Sequence, residues 1–172
     1  LKAVLSALNR LVVLGVIEQY AIGGAVGAAF YIQAMQTEDV DAFVVVASQS
    51  SLLVSLGPIY EELRKLGGQV EREYVRFDAW PLQILTDAKP LVSEAIREAL
   101  DVEFEGAPTR VFRPEHLCAI ALDTGRAKDY ARVTMFLEQD EVALERLERL
   151  VERYGLQDRL LRVLSAGGSM NR

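Results

Sequence analysis

The stretch from Tyr20 to Val46 limits what the rest of this chain can be. It reads YAIGGAVGAAF, then YIQAMQ, then TEDVDAFVVV. The spacing predicts a short strand at Tyr20–Ile22 that ends in the pair Gly23-Gly24. A helix of small and apolar residues follows over Ala25–Ala34, and a second strand runs from Asp39 to Val46. Residues two apart on a strand share a face, so Asp39 and Asp41 project together, close enough to grip one hard divalent cation. A glycine pair at a strand-to-helix turn lets backbone N–H groups approach a phosphate at the positive end of the helix. Together the two pieces describe a site for a metal–nucleotide complex. The plainer reading is a strand that begins in solvent with acids at its exposed end, preceded by a tight turn.

Around this stretch the chain predicts an α+β fold, a mixed sheet first and helices after. Leu1 to Ile17 has helical periodicity, with Lys2, Ser6 and Arg10 on its outer face. Beyond Asp41 the second strand is apolar on both faces, as a buried central strand requires. Ser48–Ser51 reads as a polar loop. Leu52–Leu66 reads as a helix kinked at Gly57-Pro58 and ended by Gly67-Gly68. Glu71–Phe77 and Trp80–Leu85 read as strands separated by a turn at Asp78-Ala79, and Pro81 argues against an interior ladder position. Pro90–Leu100 reads as a helix, and Val102–Phe104 and Thr109–Phe112 as short strands. Pro114 then opens a helix, and the pattern stays helical through His116–Thr124, Ala127–Glu138, Glu141–Tyr154 and Leu156–Leu164 to a frayed tail. This divides the chain into an α/β core over 1–113 and a helical segment over 114–172 packed on it.

Gly23-Gly24 followed, after one helix, by Thr37-Glu38-Asp39-Val40-Asp41 resembles the nucleotidyltransferase superfamily, the fold of DNA polymerase beta and the tRNA CCA-adding enzymes. Within it, the chain is most similar to small bacterial nucleotidyltransferase-like proteins, some of them toxin–antitoxin components. A second matching segment is PEHLCAIALDTGRAKD, Pro114 to Asp129. The resemblance implies a metal-dependent transfer of a nucleoside monophosphate from an NTP to an acceptor hydroxyl, with Mg²⁺ or Mn²⁺ held by Asp39 and Asp41. It implies that Gly23 and Gly24 cradle phosphate, that Thr37 assists through its hydroxyl, and that Lys128 reaches the triphosphate. Enzymes of this superfamily carry a further Asp or Glu on a later strand, where this chain has Gln83 within Pro81-Leu82-Gln83-Ile84-Leu85. An amide offers an oxygen to a metal but brings no charge. Asp78 and Glu73 are the substitutes the sequence offers, and Ala121 stands where the group often has a lysine. The alternative is therefore an antitoxin-like or nucleotide-binding module on the same fold with weakened chemistry.

The remaining residues carry weaker signals. His116, the single histidine, is a candidate general base, and the plainer expectation is capping and packing at a helix start. Trp80 and Phe77 could stack on a base, though aromatic residues at sheet ends are usually core. Glu141–Arg153 alternates acids and arginines at helical spacing and reads as a solvated face; its apolar stripe suits internal packing, a protein partner or a homodimer. A net charge of −6 argues against broad nucleic-acid binding. The single cysteine, Cys118, excludes an internal disulfide and a multi-cysteine zinc site, so a cytoplasmic protein is expected. Each apolar run is interrupted by Glu, Gln or Arg, so no membrane span is expected.

Overall fold

A computed structural model describes residues 1–33, 37, 39–47 and 55–167. In chain order the elements are α1 (Lys2–Val13), β1 (Ile17–Ile22), α2 (Gly24–Ala28), β2 (Val40–Val46), α3 (Gly57–Lys65), β3 (Gln69–Glu71), β4 (Tyr74–Phe77), β5 (Trp80–Thr86), α4 (Pro90–Arg97), β6 (Leu100–Phe104), β7 (Ala107–Val111), α5 (Pro114–Thr124), α6 (Ala127–Glu138), α7 (Leu144–Arg153) and α8 (Gln157–Gly167). Among the described residues one mixed sheet runs β3-β4-β5-β2-β1-β7-β6. β2 lies near its centre, antiparallel to β1 and parallel to β5. The sheet closes on one side with the β3–β4–β5 meander and on the other with β7, parallel to β1, and the hairpin strand β6. No described helix is long and apolar enough to cross a membrane.

Strand alternation divides the interior into two cores. Tyr20, Ile22, Ala42, Val44, Leu82 and Ile84 face one way and pack with α1 and α3. Ala21 and Phe43 face the other way, against residues of α4 through α8, with Val45 and Leu85 packed at their edge. Asp41 shares the face of Phe43, so the second core's face also carries the acids. The C-terminal helices cover most of that face and leave the β2 mouth open. The α+β expectation, with helices gathered at the C-terminal end, describes this architecture.

Several boundaries depart from the expected ones for identifiable reasons. The first helix ends at Val13, because Gly15 takes a left-handed φ of 67° and turns the chain into β1, which begins at Ile17 rather than Tyr20. The small-residue helix stops at Ala28. Beyond it Phe30 packs edge-on to Phe104 while Tyr31 packs on Phe136 and donates to the Phe112 carbonyl, which draws the chain off the helix axis. Pro58 opens α3 instead of kinking a longer helix. Glu71–Phe77 is a hairpin rather than one strand, since Arg72 adopts φ 59° and reverses the chain. Pro81 does lie in an interior strand, but pairing of β5 with β2 begins only at Leu82, so its missing N–H falls where β5 has a single neighbour. Leu100 belongs to β6, not to the helix before it. The Ser48–Ser51 loop, the start of the helix expected from Leu52, and the end of the tail fall outside the described residues.

Within the helical layer, α6 packs on the segment that follows α2. Phe136 is fully buried and meets Tyr31 at a ring separation of 6.3 Å. Phe136→Ala should cost about 3–5 kcal/mol, read as a lower urea midpoint at unchanged slope.

Candidate functional site

Gly24, Ala25, Thr37, Asp39, Asp41, Gln83, Tyr74 and residues of α4, α5 and α6 line a cleft of about 890 Å³. Its floor is the mouth of β2. Asp39 and Asp41 lie on the cleft face, and the parallel register sets Gln83 of β5 directly beside Asp41. Tyr74, paired with Gln83 from β4, forms the outer wall. Beneath the carboxylates the Phe43 and Phe112 rings pack at 4.9 Å, tilted by 42°, and form an apolar base.

The two glycines have different tasks. Gly23 is absent from the lining and lies under the floor: a Cβ there would meet the Phe43 ring at 2.5 Å and the Phe112 ring at 3.0 Å. Its N–H donates to the Asp41 carbonyl at 3.0 Å, locking β1 to the mouth of β2. Gly24 does line the cleft, with φ 56°, and a Cβ on it would collide with the Asp41 carboxylate. Glycine is required there by both backbone and space. The N–H groups of the first turn of α2 have no intrahelical acceptor, although α2 is only one short turn of helix. Thr37 donates its hydroxyl to the Asp39 carbonyl at 3.1 Å, at the approach to β2.

The facing wall is cationic and comes from α6. Gly125 ends α5 in a left-handed conformation, so α6 restarts at a new angle and turns Arg126, Lys128 and Arg132 toward the carboxylates. Asp129 is buried and holds two of these arginines: Arg126 Nε donates to it at 2.6 Å, and Arg132 Nη1 stands 3.5 Å away. Arg132 is nearly buried and its Nε has no hydrogen-bond partner among the described residues. Lys128 is exposed in the cleft, with no ion pair among the described residues. Burial and the neighbouring Asp39 charge push the Asp41 carboxyl up to about 6, against the opposing pull of Arg132, Arg126 and Lys128. A carboxylate this reluctant to ionise gains most from a bound cation.

The structure thus brings together Asp39, Asp41, Gly24, Thr37 and Lys128, with Gln83 among them, and leaves Gly23 beneath. Two carboxylates and an amide oxygen suit one hard divalent cation; among the described lining residues the other acids, Asp123 and Asp129, are already ion-paired. Asp78 and Glu73, the proposed substitutes, do not line the cleft: Asp78 lies in the β4–β5 turn at φ 51°, and Glu73 in the β3–β4 turn. Asp123 does line it but is paired with Lys89 at 2.6 Å. His116 and Trp80 are also outside the lining. Sequence reading missed Arg132 and Tyr74. Arg132 follows Lys128 by four residues, a helical repeat that could have found it; Tyr74 became visible only with the β4–β5 register.

No protein-family model matches the chain, and the curated proteins gave no match. Solved structures do. The solution structure of the antibiotic-resistance factor ANT(2'')-Ia aligns with a TM-score of 0.52 at 16% identity, over 93% of this chain and 94% of that one. The crystal structure of ANT(2'')-Ia with adenylyl-2''-tobramycin aligns with a TM-score of 0.56 at 14% identity, over 92% and 98%. An antigenic nucleotidyltransferase-like protein from Paracoccidioides brasiliensis aligns with a TM-score of 0.60 at 16% identity, over 96% and 90%. These likenesses establish the nucleotidyltransferase-like fold.

Because Asp41 titrates near 6 when folded and at its ordinary 3.8 when unfolded, the folded state binds more protons between those values. Stability without metal should therefore fall as pH rises from about 4 to about 6 and then level off. Asp41→Asn should flatten that profile and stabilise the metal-free protein at pH 7 by about 1–3 kcal/mol in urea titrations. Gly24→Ala should act in the opposite direction, destabilising by about 1–3 kcal/mol through strained φ and the displaced carboxylate.

Proposed function

We propose that the protein transfers a nucleoside monophosphate from an NTP to an acceptor hydroxyl with the help of Mg²⁺ or Mn²⁺. The observation that carries this reading is the opposition, across one cleft, of the Asp39/Asp41 pair and the Arg126/Lys128/Arg132 wall. Asp39 and Asp41 would hold the cation. Bound there, a divalent cation neutralises triphosphate charge and supports in-line displacement at phosphorus. Lys128 and Arg132 face the polyanion, and Asp129 keeps Arg126 and Arg132 from folding back onto the acids. Thr37 anchors the Asp39 main chain and Gly24 leaves room for the Asp41 carboxylate, and the backbone at Gly24-Ala25 offers donors to phosphate. Tyr74, in the outer wall, offers an aromatic face to a base or an acceptor ring.

In the reaction the acceptor oxygen bonds to the α-phosphorus, the bond to the β-phosphate oxygen breaks, and pyrophosphate leaves. The acceptor proton must go to a base, and Gln83 cannot take it. This favours a second reading, in which the cleft still binds nucleotide but turns over slowly or acts as an antitoxin-like interaction module in a toxin–antitoxin setting. On either reading residues 1–113 supply the acids, residues 114–172 supply the cations, and the cytoplasm supplies the nucleotide. A tRNA end, a protein side chain or a small molecule would each present the acceptor hydroxyl this reaction requires.

A thermal-shift titration with each NTP, with and without Mg²⁺ or Mn²⁺, tests the first reading. Wild type should show a metal-dependent rise in midpoint that Asp39→Ala loses while remaining folded; a rise retained in Asp39→Ala rejects the assignment. Gln83→Asp should tighten metal binding and raise turnover if Gln83 occupies the missing carboxylate position. Unchanged affinity and rate would exclude that position.

A further inference from the structure

Behind the cleft wall, α4 and α5 turn a different set of ligating groups toward α7. Glu94 of α4 and Glu98, the residue that caps its C-terminal end, meet His116 of α5, and each offers a ligand atom within 4.8 Å of the other two. None of the three lines the cleft, although Val92 of α4 and Leu117 of α5 do. His116 is 1% exposed, and neither of its ring nitrogens has a hydrogen-bond partner among the described residues. Nε2 faces Glu94 Oε1 at 3.6 Å, too long for a hydrogen bond. A buried imidazole with both nitrogens unmet is costly and calls for a partner.

We propose that Glu94, Glu98 and His116 form a second divalent-cation site, separate from the nucleotide cleft, suited to a first-row transition ion such as Zn²⁺. One imidazole nitrogen and two carboxylates match that class of ion better than the all-oxygen cleft does. The charges of the carboxylates are met by two arginines of α7: Arg153 donates to Glu94 at 2.8 Å and Arg146 to Glu98 at 2.6 Å. Tyr154 also donates to Glu94, and Arg146 lies 3.9 Å from Glu115. Both arginines reach in from the surface, with side chains 59% and 38% exposed, so each can withdraw into solvent when a cation takes its place. The arginines and the metal compete for the same oxygens, and this competition separates a metal site from a plain ion-pair network.

The experiment is a Co²⁺ titration of the full chain after chelator treatment, followed by visible absorption with Zn²⁺ as competitor. It uses Asp39→Ala/Asp41→Ala protein without nucleotide, so that the cleft contributes nothing. One equivalent should bind, with affinity reduced about 10–100-fold in His116→Gln and increased about tenfold in Arg153→Gln. Absence of a Co²⁺ band in the double variant overturns the proposal, as does an affinity unmoved by His116→Gln. Should His116→Gln fail to fold, Glu98→Gln at the half-buried edge of the site must give the same loss. If Arg153→Gln lowers stability but leaves metal affinity unchanged, the cluster is an ion-pair network and the proposal falls. None of these outcomes bears on the Asp39/Asp41 reading.

Discussion

The contact between Gly24 and the Asp41 carboxylate is the constraint on which the rest of the site depends. It requires a residue without a Cβ, at a left-handed φ, next to a strand that delivers an acid. The Gly23 N–H bond to the Asp41 carbonyl fixes the register that makes this approach possible. Beneath it the Phe43–Phe112 pair supplies a floor that cannot solvate the charge. The carboxylate is thus held where ionisation is unfavourable, with cations facing it from α6. Stability is given up at this point and recovered in the two cores on either side of the sheet, where the apolar residues of β1, β2 and β5 are buried.

What was legible in the sequence follows from periodicity. The two-residue spacing put Asp39 and Asp41 on one face, and the apolar run beyond Asp41 marked a strand buried on both faces; the two cores it separates became visible only with the fold. Gln83 could be singled out from its apolar frame, and the parallel register then sets it beside Asp41. The boundaries were less legible, because side-chain partners distant in sequence decide them. Nothing local says that Tyr31 will reach the Phe112 carbonyl, or that Ala143 will open α7 by donating its N–H to Glu115 at 3.2 Å. The run Glu141–Arg153 is largely exposed, as its charge pattern suggested, and Arg149 pairs with Glu145 four residues before it, yet Arg146 and Arg153 also reach across to Glu98 and Glu94. Charge pattern alone does not distinguish an exposed arginine from one whose partner lies on another helix.

The C-terminal helices do more than cover apolar surface. α5 and α6 contribute cleft residues, and α8 secures them: Arg159 donates to the Leu122 and Asp123 carbonyls at the end of α5. These are the carbonyls a helix leaves unpaired at its C-terminus. The turn at Gly125, and with it the direction in which Lys128 points, is therefore held by a residue more than thirty positions downstream. Displacement of α8 would alter the cationic wall without touching any residue in it.

The outermost strands of the sheet bear on how copies of this chain can meet. β3 is three residues long and carries Glu71, and β6 presents Asp101 and Glu103 to solvent. Two such edges laid antiparallel would set acid against acid along the new ladder, on a chain whose net charge is already −6. Continuing the sheet from one molecule into the next is thus electrostatically opposed at both ends. Glu71 and Asp101 also hold Arg76 and Arg110 of the neighbouring strands, so the charges that guard each edge are anchored within the sheet itself.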